Sequence, residues 1–191
     1  MGAAPQFLAV SAGSRALRRA AAVGLAAAVV ALSAQVAVPV PVSPVPMTLQ
    51  PLAVLVVGAL LGPAAGCAAL VTYLIAGVAG LPVFAAGGSG VARLVGPTGG
   101  YLLAFPVAAA VTGWIAGAAR REPRLLRLVA GCAAGIGAIH LGGTAYLAML
   151  GGDTDVATRV GLVPFITGDL LKIGLAAGVV LLAGRRVRSL L

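Results

Sequence analysis

The sequence predicts an all-α integral membrane protein: six transmembrane helices in a single domain, 1–191, with both termini in the cytoplasm. Three observations predict it. The first is composition. Mean hydropathy is +1.11, and charged residues make up 9% of the chain, against about 25% in an average soluble domain. The second is the 28 glycines in an alanine-rich background. Small residues let helix backbones approach closely in lipid, where packing itself must hold helices together. The third is the placement of the arginines, which cluster at the ends of apolar runs. A net charge of +9 would suggest nucleic acid in a soluble protein, but this clustering points to membrane topology.

A spanning helix needs about 20 apolar residues. The first candidate is 20–38. No short apolar leader with a cleavage site precedes it, so no secretory leader is expected. The stretch VPVPVSPVPMTLQP follows, with Pro39, Pro41, Pro44, Pro46 and Pro51. Its prolines forbid a helix and favour an extended loop. The apolar run from Leu52 to Leu81 is too long for one comfortable span, and Gly62-Pro63 interrupts it. It divides into helices over about 49–62 and 64–80. A glycine-rich loop, LPVFAAGGSGVARLVGPTGG, leads to a helix over about 100–119. The basic turn RREPRLLR precedes a helix over about 128–150. GGDTDVATR reads as a polar loop. The last helix covers about 163–183, and RRVR closes the chain.

The charges test this division. With six helices, Arg15, Arg18, Arg19, Arg120, Arg121, Arg124, Arg127, Arg185, Arg186 and Arg188 fall on one side. The other side holds Arg93 and Arg159, with Asp153 and Asp155. That asymmetry puts both termini inside. A single helix over 52–81 would set the N-terminal arginines against the other two clusters. The proline-rich, glycine-rich and 151–159 loops then all lie outside. No internal repeat is evident, which weakens an inverted-repeat transporter. Cys67 and Cys132 sit in apolar runs and read as small buried hydrophobes, with no disulfide or metal pattern.

Within the last apolar segment, PFITGDLLKIGLAAG, stand Asp169 and the only lysine of the chain, Lys172. An ionised group at the bilayer centre costs about 2.5–3.5 kcal/mol on insertion scales. Residues three apart on a helix share a face, so the two charges can partly neutralise each other. Phe165 lies four residues before Asp169 on the same stripe. The plain structural alternative is an ion pair that only joins helices. The functional reading is a polar floor for a solute, with Asp169 accepting N–H groups and Lys172 donating to a carbonyl or carboxylate. By this topology the pair lies in the outer half of the membrane.

Other polar residues are weaker signals. Arg93 is either a solvated loop charge or an anchor for an anionic group. His140 in GAIHLGGTAYL reads as a hydrogen-bonded core residue. Trp114 and Tyr146 read as packing or interface residues, and Tyr146, toward the outer end of its helix, could also line an outward pocket. GGSG with Ser89 fits the G-x-S-G of intramembrane serine proteases, with His140 as base, but four residues carry little information. No G-x-x-x-x-G-K-[ST] is present, so the chain does not itself grip ATP.

PVPMTLQPLAVLVVGALLGP (44–63), GLPVFAAGGSG (80–90), LVGPTGGYLLAFPVAA (94–109) and PFITGDLLK (164–172) closely resemble the BioY family. These are the biotin-specific substrate-binding subunits (S components) of energy-coupling factor transporters. In order and spacing the segments cover most of residues 20–185. The resemblance implies a biotin-binding uptake subunit, not an enzyme, with biotin as ligand and no cofactor. It implies a membrane coupling subunit and two ATP-binding cassette ATPases as partners. It places the ligand on Asp169 and Lys172 and on the loop of Gly87, Gly88, Ser89 and Arg93, with Phe165 and Tyr146 nearby. Biotin joins a compact apolar head ending in a urea to a tail ending in a carboxylate. In one pose Asp169 accepts a ureido N–H, Lys172 donates to the ureido carbonyl, and the tail points to Arg93. In the other, Lys172 takes the carboxylate. Coupling to the partner is expected through small residues of the first helix: Ala20, Gly24 and Ala28, or Ala22 and Ala26. Two other classes compete: an ion-coupled secondary transporter with Asp169 as proton site, and the intramembrane protease.

Overall fold

A backbone with little water to bond it satisfies itself as helix, and helices account for most of this chain. The computed structural model describes residues 12–117 and 125–190. Helix α1 spans Ala12–Ala34. A two-residue antiparallel ribbon follows, β1 Ala37–Val38 with β2 Met47–Thr48, paired Ala37 to Thr48 and Val38 to Met47. Next come α2 Gln50–Leu61, α3 Pro63–Val78, the short α4 Ala92–Val95, α5 Gly99–Ala116 and α6 Leu125–Gly151. The chain ends in α7 Thr154–Gly161 and α8 Ile166–Leu190.

Among the described residues, four stretches are long and apolar enough to cross a membrane: Ala16–Ala34, Gly99–Ala116, Leu125–Gly151 and Thr154–Gly184. Helices α2 and α3 are equally apolar but have 12 and 16 residues, about 18 and 24 Å at 1.5 Å per residue.

The break between α2 and α3 falls at the expected Gly-Pro. Gly62 has φ +85°, a conformation that costs glycine least. Its N–H still closes α2 onto the Gly58 carbonyl at 2.9 Å. Pro63 then opens α3, where its missing N–H costs nothing.

Several expected boundaries move. The first helix begins at Ala12 rather than 20 and ends at Ala34 rather than 38. Arg18 and Arg19 therefore ride on the helix, both exposed. The proline-rich stretch is not a plain loop, because its ends pair as the β1–β2 ribbon. The polar segment 151–159 is largely helical. Asp153 caps α7, its Oδ1 accepting the N–H of Asp155 at 2.8 Å and of Val156 at 3.1 Å, which satisfies two first-turn donors. Pro164 then holds Val163–Phe165 in a tighter turn before α8. The glycine-rich loop contains α4. The helix expected over 100–119 is α5, which ends at Ala116, with Gly117 in the left-handed conformation at φ +66°. Arg120, Arg121 and Arg124 lie outside the described residues.

Helix α5 is the centre of the bundle, packing on α2, α3 and α6. The spanning window of α5 is 61% buried, against 11% for α1. Glycines of α6 allow the close approach to α5: a Cβ at Gly131 would stand 2.9 Å from the Thr112 carbonyl oxygen, and one at Gly135 would strike the Thr112 hydroxyl. On α1, Ala20, Gly24 and Ala28 are exposed, whereas Ala26 turns inward. Trp114 is 76% exposed, so it faces the surroundings rather than the core. Cys67 and Cys132 are free, half-buried and buried respectively.

Candidate ligand site

The first turn of α8 sets Asp169 near the positive end of that helix, where a carboxylate is favoured. One turn on, Lys172 donates through Nζ to Asp169 Oδ1 at 2.9 Å. His140, from the middle of α6, holds the other oxygen: Nε2 lies 2.6 Å from Asp169 Oδ2. A carboxylate accepts, so the Nε2 nitrogen carries the hydrogen. Asp169 and Lys172 are 4% and 6% exposed. At that burial an unpaired charge would be very costly. Here one carboxylate takes two donors, and the lysine keeps two N–H groups beyond the one it spends on Asp169.

Aromatic side chains fix the histidine. Tyr101 of α5 meets the His140 ring edge-on at 6.2 Å, and Phe165 lies tilted at 6.1 Å. Tyr101 is itself held, donating its hydroxyl hydrogen to the Gly161 carbonyl at 2.7 Å. A side chain at Gly143 would overlap the Tyr101 ring. His140 Nδ1 has no hydrogen-bond partner among the described residues.

These residues form part of the wall of a cavity holding about 640 Å³, including the part open to solvent. Thr48, Gln50 and Pro51 enter from β2 and α2, Phe84 and Ala85 from the glycine-rich loop, Arg93 from α4, and Tyr101 and Phe105 from α5. Gln50 is 3% exposed. Its Nε2 donates to the Tyr73 hydroxyl oxygen at 2.6 Å, and its Oε1 accepts from Thr48 Oγ1 at 3.2 Å. The cavity therefore has a charged polar station on α6 and α8 and a neutral one on α2, with aromatic rings also in its wall.

Of the residues expected to bind, Asp169, Lys172, Arg93 and Phe165 line this cavity. Gly87, Gly88, Ser89 and Tyr146 do not. Gly87 and Ser89 are exposed. A Cβ at Gly88 would strike the Arg93 guanidinium, so this glycine makes room for that side chain. Tyr146 packs its Cβ against Gly100 at the α5–α6 contact. Arg93 is half-buried and makes no ion pair among the described residues. His140, expected in the core, and Gln50 are additions to the site. Gln50 lies inside the VPMTLQ string, and its burial at the start of α2 is what brings it to the cavity. His140 and Ser89 do not form a nucleophile–base pair: Ser89 is on the exposed loop and His140 is bonded to Asp169.

The BioY family model matches residues 6–189. A probable biotin transporter BioY of Pyrococcus horikoshii is 39% identical over 85% of this chain and 92% of its own length. A biotin transporter BioY of Thermotoga maritima is 41% identical over 72% of this chain and 80% of its own. One of Rhodobacter capsulatus is 39% identical over 78% and 83%. The fold superposes on the crystal structure of an S-component for biotin from an ECF-type ABC transporter with a TM-score of 0.82. That match covers 95% of each chain at 24% identity.

Proposed function

The chain belongs to the BioY family, and on that premise we propose that it is a membrane-embedded subunit that binds biotin with high affinity for uptake. The observation that carries this is the cavity itself, in which a buried Asp169–Lys172–His140 cluster and Arg93, which makes no ion pair among the described residues, share one wall system with aromatic rings. Biotin has the matching parts.

In the proposed pose the bicyclic head lies against Phe165 and Tyr101. Asp169 accepts a ureido N–H with a remaining lone pair, and Lys172 donates a spare N–H to the ureido carbonyl. The tail runs toward Arg93, whose charge meets the carboxylate. Asp169, Lys172 and Arg93 together leave one net positive charge in the wall, which suits a monoanion. Gly87, Gly88 and Ser89 shape the loop that presents Arg93, and Tyr146 seats α5 on α6.

The six-helix topology, with both termini cytoplasmic in a bacterial plasma membrane, is part of this reading. The four long apolar helices, the two shorter ones and the arginine asymmetry support it. A membrane coupling subunit and two ATPases energise uptake, with the bare Ala20–Gly24–Ala28 stripe of α1 as the docking face.

Titration of the purified chain in detergent with biotin tests the reading. Saturable binding well below micromolar concentration is expected, and no binding at micromolar biotin refutes it. Uptake of labelled biotin should require the ATPases. Uptake that needs no ATPase and collapses with the proton gradient would instead indicate an ion-coupled carrier.

A further inference from the structure

The first half of the glycine-rich loop, 81–90, reaches the cavity through Phe84 and Ala85, and part of what holds it comes from a different helix. Gln35, just past the end of α1, accepts the Gly87 N–H on its Oε1 at 3.0 Å. Its Nε2 donates to the Ala31 carbonyl at 3.0 Å and reaches the Pro82 and Phe84 carbonyls at 3.5 Å each. One side chain thus grips both ends of the turn at 82–87.

That turn is not one the chain would hold by itself. Gly87 has φ +70°, and Ala86, beside it, has φ +53°, a region that non-glycine residues seldom occupy. Such a conformation persists where surrounding bonds over-determine it. The Phe84 N–H to the Gly88 carbonyl at 2.9 Å closes the turn internally, the Gly90 N–H to the Gly77 carbonyl at 2.7 Å ties the loop to α3, and Gln35 ties it to α1.

What the turn carries is a cavity wall. Phe84 is 1% exposed. Its ring stands edge-on to Tyr73 at 5.5 Å, in a seat that exists because Gly77 has no side chain. Tyr73 in turn receives the hydrogen bond of Gln50, which lines the same cavity. The contacts therefore run from Gln35 through the turn to Phe84, Tyr73 and Gln50.

We propose that Gln35 is a positioning residue for the ligand site: from the end of α1 it fixes the turn at 82–87, and so sets the Phe84 wall that retains the ligand. The inference rests on the biotin reading for its ligand, but not for its geometry.

The test uses the full chain in detergent and two variants. Gln35→Leu removes both the acceptor and the donor. Gln35→Glu keeps an oxygen for the Gly87 N–H. Gln35 is exposed, so neither change disturbs the core. Biotin dissociation should quicken roughly fivefold in Gln35→Leu, the scale of one net hydrogen bond. Without ligand, amide exchange at Gly87 should accelerate in Gln35→Leu and not in Gln35→Glu. Unchanged exchange in Gln35→Leu overturns the proposal, as does faster exchange with unchanged dissociation. If wild type binds no biotin, the proposed function fails by that result, while the exchange arm still reads whether Gln35 holds the turn.

Discussion

On α6 and α8, Asp169, Lys172 and His140 are buried and bonded to one another. On α4, Arg93 stands half-buried beside a glycine-rich loop with no ion pair among the described residues. The first region has already neutralised its charge, so it offers direction: fixed donors and acceptors for a neutral polar group. The second offers charge, so it suits an anion. A buried pair is held by what it would cost to break it, because removing one partner leaves the other uncompensated. A half-exposed cation is worth less and is screened by salt. In the proposed pose the urea and the carboxylate of biotin divide along that line.

The contrast should appear first in Lys172→Ala. It leaves the Asp169 carboxylate buried with one donor and removes the donor to the ureido carbonyl. Biotin affinity should fall by at least about 100-fold, the scale of breaking a buried pair, with a lower midpoint in thermal unfolding. A loss of less than tenfold in a titration would mean that the buried cluster only joins helices.

His140→Leu should weaken binding roughly tenfold, since Asp169 then turns with one oxygen unpartnered. His140→Gln should recover most of that loss, because its amide nitrogen can donate where Nε2 does. If the two variants bind alike, the histidine serves packing against Tyr101 and Phe165, not the carboxylate.

Arg93→Ala should cost about tenfold, as expected for one charge-assisted contact outside the deep core. It should also abolish the salt dependence of biotin affinity that wild type shows between low and high ionic strength. A smaller effect of the same kind is expected from Gly88→Ala. Its new methyl group would push the guanidinium aside, weakening biotin by a few-fold (about 1 kcal/mol or less) with no change in thermal stability.

The two regions were unequally legible in the sequence. Asp169 and Lys172 announced themselves, because an ionised pair three residues apart in an apolar helix has few reasons to exist. The turn at Gly62 was equally plain, since glycine followed by proline ends one helix and begins another. His140 was not legible as their partner. It lies 29 residues from Asp169 on a different helix, and only the packing of α6 on α8 brings them together. Gln50 was hidden in the same way, its role set by Tyr73 on α3. Helix α7 escaped because 8 residues are too few for a hydrophobic period to show. Its Asp153 cap, with Asp155 in the first turn, was nonetheless present to be read. The α1 boundary moved because the arginines that mark a membrane edge are also good helix formers.

Affinity for biotin and for biotin methyl ester, measured in wild type, Arg93→Ala and Lys172→Ala, tests most directly which region holds which end. The ester should bind wild type more weakly than biotin, and this difference should vanish in Arg93→Ala. The difference should persist in Lys172→Ala, at whatever lower affinity remains. A difference that survives in Arg93→Ala and disappears only in Lys172→Ala would place the carboxylate on the buried lysine and contradict the account.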